Sequence, residues 1–334
     1  MKNSSKSSTI GVVGVGSFGT AIANMLAEKS EVMVYARKPE VVDEINTQSS
    51  AQGKALHASI QGTFDPETLC KECNILFFMV PSSGFQEVAR KFAPFLHPYH
   101  LVIHGTKGLC LNLPEGQTLD TVKKIKRSQI LTMSEVIQQE TVAVRVGCLA
   151  GPNLAKELSK GQPAATVIAS KYNEVIMEGQ RLLRSDKFQV YGNSDIIGVE
   201  LSGVLKNIIA IASGALAGLG LGENARGLLI SRGMVEMAHL SNALGGSLKS
   251  VIGLAGIGDL VATCNSVDSR NFTVGYRLAK GESLTEIQAS MEEVAEGSNA
   301  VTKDAKPGER IDTSKGGAAK VIDVTTDSLE GAKG

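Results

Sequence analysis

The feature that most constrains this 334-residue chain is the turn Gly14-Val15-Gly16-Ser17-Phe18-Gly19, set between two segments of different periodicity. Ahead of it, Thr9 to Val13 is an apolar run of strand length. Behind it, Thr20 to Lys29 has helical spacing with Ala21, Met25 and Leu26 turned inward. Gly14 permits a tight turn, Gly16 lets the backbone approach a pyrophosphate, and Gly19 lets the helix pack on the strand. The helix start then offers free N–H groups to phosphates. The glycine pattern alone is weak and competes with a plain strand-to-helix turn. A strand before it and a helix after it are the context that dinucleotide binding requires.

The same alternation continues. Strands are expected at Glu31 to Ala36, Ile75 to Val80, Leu101 to His104, Val142 to Leu149, Ala164 to Ala169 and Phe188 to Tyr191. Helices are expected at Pro39 to Asn46, Phe85 to Phe92, Leu154 to Ser159 and Asn173 to Leu183. This order predicts an α/β fold, a Rossmann-type doubly wound parallel sheet covered on both faces. Past Asp195 the strands stop, and Ile196 to Leu219, Ala225 to Leu244, Phe272 to Lys280 and Leu284 to Glu293 read as helices. The expected domains are therefore 1–195, nucleotide-binding, and 196–297, all-helical and catalytic. A tail, 298–334, is rich in Lys, Asp, Gly and Thr, with poor periodicity, and predicts irregular structure.

Composition bounds the rest. The chain is 43% hydrophobic and 20% charged with a formal net charge of zero, which argues against a nucleic-acid partner and a polybasic membrane anchor. The run Asn207 to Gly222 is apolar but short and rich in Gly and Ala, so it reads as a buried core helix rather than a membrane span. The five cysteines, Cys70, Cys73, Cys110, Cys148 and Cys264, have no framework spacing and suit free thiols in a reducing cytoplasm. Cys70 and Cys73 match a metal spacing, but no second pair or nearby His completes a site, and no metal is expected.

Cofactor choice is read at the end of the second strand. NAD-selective sites place an acidic residue there for the ribose 2′-OH. This chain has Arg37 and then Lys38, which suits a 2′-phosphate and favours NADP, with NAD also usable. Two solvated surface cations are the plainer alternative.

One charge is out of place. Lys206 lies in the apolar stretch Val199 to Ala212, and the next charge after it is Glu223. A buried ammonium loses hydration and its pKa becomes easy to move, which suits a proton donor. A lysine stem lying on apolar surface with its head in water is the plainer reading. Other segments break the pattern in ways that suit a ligand. They are Val80-Pro81-Ser82-Ser83, Gly105-Thr106-Lys107-Gly108, Gly151-Pro152-Asn153-Leu154-Ala155-Lys156-Glu157, and Gly256-Ile257-Gly258-Asp259-Leu260-Val261-Ala262-Thr263 with Ser269-Arg270-Asn271 after it. Hydride arriving at a ketone leaves charge on its oxygen, which an ammonium stabilises and protonates. Lys206 and Lys107 are the candidates, Asp259 would hold the Lys206 charge, and Asn207 and Thr263 would complete the hydrogen bonds. Arg270 and Asn271 at a helix start suit a phosphate, although Asp259 and Asn271 also read as helix caps.

Taken in order, these motifs resemble the NAD(P)-dependent glycerol-3-phosphate dehydrogenases of bacterial type, from about Ile10 to Glu296. The resemblance implies reversible reduction of dihydroxyacetone phosphate to sn-glycerol 3-phosphate, feeding glycerophospholipid synthesis, and it allows a homodimer. It implies that Lys206 is the catalytic lysine and that Lys107 contacts substrate and cofactor. By the same resemblance Gly151, Asn153, Asp259, Ser269, Arg270 and Asn271 line the substrate site. Ser17, Phe18, Arg37, Ala155, Arg270, Val294 and Glu296 touch the cofactor. The chain departs from the family in a long segment, Leu111 to Thr141, and after Glu296-Gly297. Two alternatives stay open: a related two-domain reductase acting on a hydroxyacid or ketopantoate, and a non-catalytic NADP-binding regulatory protein. Arg270-Asn271 argues against the first and the pair of lysines against the second.

Overall fold

The computed structural model describes residues 9–114, 121, 125–291 and 295–297. In chain order the elements are β1 (Thr9–Val13), α1 (Ser17–Ala27), β2 (Val32–Tyr35), α2 (Pro39–Gln48), β3 (Ser50–Ala51), β4 (Lys54–Ala55), β5 (Gln61–Thr63), α3 (Pro66–Glu72), β6 (Cys73–Phe78), α4 (Phe85–Phe92) and β7 (Leu101–His104). Then come β8 (Leu109–Leu111), β9 (Ile130–Thr132), α5 (Met133–Glu140), β10 (Arg145–Ala150), α6 (Ala155–Ser159), β11 (Ala164–Ser170), α7 (Asn173–Leu183) and β12 (Phe188–Asn193). Helices complete the described chain: α8 (Ile196–Gly218), α9 (Glu223–Ala243), α10 (Leu248–Val251), α11 (Asp259–Cys264), α12 (Arg270–Ala279) and α13 (Leu284–Ser290). They form two compact units. Of the described residues, the first holds those up to Thr106 with Met133–Ile196, and the second holds those of Lys107–Thr132 with those from Ile197 onward.

The first unit is an eight-stranded sheet in the order β12-β11-β10-β7-β6-β1-β2-β5. Its central strands are buried on both faces, so they read as continuous apolar runs rather than alternations: Ile10, Val12, Val13, Phe77, Phe78 and Ile103 are each at most 1% exposed. The expectation of a parallel sheet needs one correction. β10 and β11 pair antiparallel, Gly147 opposite Ser170 and Ala150 opposite Val167. The link between them carries only the five-residue α6. Such a helix is about 7 Å long against about 20 Å for a six-residue strand, too short to return the chain to the far end of the sheet. The strand expected from Val142 begins only at Arg145, and Val142 and Val144 are exposed.

Two elements of the first unit had local signals that periodicity misses. Asp65 caps α3 by accepting from the N–H groups of Glu67 and Thr68, with Pro66 in the first turn. Ser49, the C-cap of α2, and Gln52, in the β3–β4 turn, take φ 50° and 52°. The Glu44 carboxylate steadies it, accepting from Ser50 Oγ at 2.7 Å and from the N–H groups of Gln52 and Gly53 at 2.9 and 3.0 Å.

Among its described residues the second unit is helical except for the β8–β9 hairpin, which comes from the 1–195 stretch expected to form the nucleotide-binding domain. Leu109, Leu111, Ile125 and Ile130 pack instead with Leu201, Leu205 and Leu244 of the helices. The apolar side chains of a short two-stranded ribbon need such a cover. The helix α8 runs 23 residues, and its most apolar window has a mean hydropathy of 1.6, so it is longer than the apolar run Asn207 to Gly222 suggests and long enough to cross a membrane. Its most apolar window is 67% buried inside the protein. Where α8 meets α12 the backbones touch. A Cβ on Gly214 would lie 1.9 Å from the Phe272 carbonyl oxygen, and one on Gly275 would lie 1.8 Å from that of Ile211. Only glycine allows this approach, and it brings the residues after Lys206 against the start of α12.

Candidate active site

On the first unit, the glycine turn has the form that a phosphate cradle needs. Gly14 adopts φ 106°, and a Cβ there would meet the Met79 carbonyl oxygen at 2.5 Å. Gly16 is the exposed N-cap residue of α1, and it has no side chain to occupy the first N–H groups. A Cβ on Gly19 would lie 2.2 Å from the Gly14 carbonyl oxygen, which locks helix to strand. Ser17 and Phe18 come next in the first turn, half-buried, with Phe18 packed against the core. The turn and the uncapped helix start therefore fit a pyrophosphate. Arg37 and Lys38 are exposed after β2, and among the described residues neither pairs with a carboxylate.

Gly151, Asn153 and Ala155 also belong to the first unit, between β10 and α6. Gly151 takes φ 153°, and Asn153 Nδ2 donates to Thr166 Oγ1 at 2.9 Å. Asn153 Oδ1 is buried without a hydrogen-bond donor among the described residues. An orphaned buried acceptor costs about 1–3 kcal/mol, so it marks a place for a ligand N–H or O–H.

The charged centre lies wholly within the second unit. Asp259, 2% exposed, takes both lysines. Its Oδ2 accepts from Lys107 Nζ at 2.5 Å and its Oδ1 lies 2.9 Å from Lys206 Nζ. Lys206 also donates to Thr263 Oγ1 at 2.5 Å, and that hydroxyl donates to the Asp259 carbonyl at 2.6 Å. The sequence assigned Lys107 to the nucleotide-binding domain, but it belongs to the helical unit, where its stem lies against Gly203. Two cations face one anion, so the trio carries a net charge of +1. Burial pushes the Lys206 ammonium down to about 8, against the pull of Asp259 and aided by repulsion from Lys107. Burial pushes the Asp259 carboxyl up, but the two lysines outweigh it and hold it below the usual range.

The turn that aims Asp259 is unusual. Leu254–Gly258 is a π-helical turn, with the Gly258 N–H donating back to the Gly253 carbonyl at 3.4 Å. A Cβ on Gly256 would stand 1.9 Å from the Val251 carbonyl oxygen. Such turns add a residue to the helical path and re-aim the side chains beyond it. Asp259 thus opens α11 with its carboxylate on the lysines rather than on the helix N–H groups. The cluster of glycines before Asp259 was the signal for this turn, and periodicity alone does not read it.

The remaining predicted residues have separate fates. Ser269, 3% exposed, caps α12 by accepting from the Phe272 N–H at 3.3 Å, a cap that the sequence suggested for Asn271. Arg270 is exposed in the first turn of α12. Asn271 and Asn207 are buried and hydrogen-bonded to each other. Glu296 is half-buried, and Val294 lies outside the described residues. The Cys70 and Cys73 thiols are both pushed up to about 12 by burial, which makes them poor nucleophiles and ligands.

Known proteins match this chain along most of its length. The profile of the NAD-dependent glycerol-3-phosphate dehydrogenase N-terminus matches residues 9–176, and that of the C-terminus matches 195–310, beyond the Glu296 limit read from motifs. A glycerol-3-phosphate dehydrogenase [NAD(P)+] of Teredinibacter turnerae is 38% identical over 297 residues, covering 87% of this chain and 83% of that one. A second, from Mycobacterium tuberculosis, is 40% identical over 285 residues, covering 83% and 80%. The crystal structure of glycerol-3-phosphate dehydrogenase from Coxiella burnetii superposes with a TM-score of 0.77 at 33% identity, covering 87% of this chain and 86% of that one. With both halves matched, the chain belongs to the NAD-dependent glycerol-3-phosphate dehydrogenase family.

Proposed function

We propose that this chain is an NAD(P)-dependent oxidoreductase that interconverts dihydroxyacetone phosphate and sn-glycerol 3-phosphate. The observation that carries the reading is the single buried carboxylate shared by two ammonium groups. Gly14, Gly16, Ser17 and Gly19 would hold the cofactor pyrophosphate, and Arg37 with Lys38 a 2′-phosphate, which makes NADP the preferred form. The bound cofactor supplies or accepts a hydride.

The residues of the chain do the acid–base work. Lys206 is the proton donor to the ketone oxygen, and its lowered pKa matches neutral solution. Lys107 supplies the second positive charge that the developing oxyanion needs. The count of charges explains why there are two lysines. When Lys206 gives up its proton it becomes neutral, and Asp259 keeps Lys107 as its counter-ion. The buried site thus falls from +1 to zero without leaving a bare carboxylate, which would be costly. In the reverse direction neutral Lys206 takes the proton back. Thr263 holds the Lys206 head in place in both forms, accepting from it in either protonation state. Arg270 supplies charge for the substrate phosphate.

The product would feed glycerophospholipid synthesis, and the free thiols suit a reducing cytoplasm. The test is NADPH oxidation with and without dihydroxyacetone phosphate, repeated with NADH and with a panel of 2-ketoacids. Turnover is expected with the phosphorylated ketone and faster with NADPH. Turnover only with unphosphorylated ketoacids, or with none of these substrates, would sink the reading.

A further inference from the structure

We propose that Arg127 is a positioning residue for Lys107, acting through the β8–β9 hairpin that it ties to the end of α9. The chain passes from the first unit to the second at the Thr106–Lys107 peptide. A long, flexible side chain at such a link stays on Asp259 only if its backbone is fixed to the helices. The hairpin that follows at once is the means. Leu109 of β8 pairs with Thr132 of β9, and Leu111 pairs with Ile130. Leu109, Leu111 and Ile130 pack with Leu201, Leu205 and Leu244. A lone two-stranded ribbon is marginal without such cover. Apolar cover is non-directional, so by itself it does not set the place of the ribbon along the helices.

Arg127 supplies the direction. It stands half-buried in the turn that leads into β9. Its Nη1 donates to the Ile130 carbonyl at 2.6 Å, and its Nε donates to the Leu244 carbonyl at 3.2 Å, 117 positions away in the chain. Leu244 is the C-cap of α9, and the last turn of α9 has no basic residue of its own. Carbonyls at a helix C-terminus lack intrahelical donors and carry partial negative charge, so a guanidinium is favourable there on both counts. Its planar fork fixes β9 against the helix end in a way that one flexible ammonium does not. At the open end of the hairpin the stem of Lys107 runs along Gly203 of α8. A Cβ on Gly203 would lie 3.4, 3.6 and 3.9 Å from Lys107 Cγ, Cδ and Cε. The ammonium ends 2.5 Å from Asp259 Oδ2. The inference rests on the proposed function for what Lys107 does in catalysis, but the placement of Lys107 can be read without turnover.

In Arg127→Met the apolar stem stays and the donors go, so the hairpin loses its fixed point on α9. Trace acetylation with acetic anhydride, read by mass spectrometry, reports the result at Lys107, whose side chain is 20% exposed in the wild type. It should label severalfold faster in the variant, with the exposed Lys38 and Lys160 unchanged as references. The kcat/KM for dihydroxyacetone phosphate should fall about 10- to 100-fold, the scale of a reacting group misplaced by about 1 Å. The groups that face Lys206 electrostatically are Asp259, Lys107 and the Cys264 thiol, and Lys107 lowers its pKa by repulsion. As Lys107 moves away, the limb of the rate profile near pH 8 should therefore move upward, which a loss of stability alone would not do. In a Lys107→Met background, Arg127→Met should cost less than about a further twofold, because it acts through the side chain already removed. Arg127→Lys keeps the charge but puts one donor head in place of the fork, and should give intermediate labelling and rate. Thermal midpoints show which variants fold. If the wild type does not reduce the ketone phosphate, the proposed function falls and the labelling still judges the anchor. If Lys107 labels at the wild-type rate in every folded variant, or if Arg127→Met costs its full factor again without Lys107, the anchor falls and the function stands.

Discussion

Replacing Asp259 by Asn keeps the shape of the charged centre and removes the anion that its two cations share. The side chain is 2% exposed and lies 2.5 and 2.9 Å from the two lysine nitrogens. At pH 7 a Lys206 that titrates at about 8 is about 90% protonated. An opposite charge at this range is worth about 1–3 pKa units, so in Asp259→Asn the group falls to roughly 5–7. The protonated fraction at pH 7 then drops to between about 50% and 1%, and ketone reduction slows by up to about 100-fold for lack of a proton to donate. The pH profile is the decisive assay. In the wild type the reduction rate should fall as pH rises through about 8. In the variant the same limb should move to roughly pH 5–7, so that acidifying the assay recovers part of the lost rate. The variant also breaks a buried ion pair, a loss of about 3–5 kcal/mol that a neutralised Lys206 would soften, so folding must be checked by thermal midpoint. A folded variant whose limb stays near pH 8 would refute the account of Lys206 as a donor tuned by Asp259.

Three further outcomes are expected. Arg37→Asp should weaken NADPH use about 10- to 100-fold while NADH use holds or improves; an unchanged ratio of the two kcat/KM values would count against Arg37 as the 2′-phosphate partner. Gly275→Ala should destabilise by about 1–3 kcal/mol or more in urea, because its Cβ would sit 1.8 Å from the Ile211 carbonyl oxygen, whereas an unconstrained helical glycine would gain about 1 kcal/mol from the same change. His100 is buried with Nδ1 accepting from the His97 N–H at 2.8 Å and Nε2 donating to the Cys70 carbonyl at 3.0 Å, a neutral imidazole. Its pKa is lowered, first by burial, so the unfolded state binds the extra proton. Stability should be full above the unfolded value of about 6.5 and decline as pH falls from there towards the folded value. His100→Gln should have a shallower decline in thermal midpoint between about pH 7 and 5, and an equal slope would show that this imidazole is not a source of acid lability.

The parts that were legible before the fold was known are those whose causes are local. Gly14, Gly16 and Gly19 are placed by the strand and helix that flank them, and Gly19 also by the Gly14 carbonyl five residues away, so the cradle could be read directly, although the contact of Gly14 with Met79 could not. Lys206 could be picked out because a charge in an apolar helix is unusual whatever surrounds it. Arg37 could be placed at a strand end by counting. The direction of β11 was not legible in the same way, since the alternation of strands and helices looks alike in parallel and antiparallel links until the length of α6 is weighed.

The sequence alone determined the order of the main sheet strands and the long helices, the nucleotide-binding turn and the chemical types gathered near α8 and α12. Tertiary structure alone decided which of those types meet. Lys107 reaches Asp259 across 152 positions and Lys206 reaches Thr263 across 57, separations at which no periodic pattern carries information. The membership of Lys107 in the helical unit is set by where Leu109, Leu111 and Ile130 find apolar cover. The polarity of the Asn271–Asn207 amides is set by one peptide N–H at Gly297, brought within 2.9 Å by packing rather than by neighbourhood in the chain. Local conformation answers to a few adjacent residues, whereas a charge or an amide answers to whichever group the folded backbone sets within about 3 Å of it.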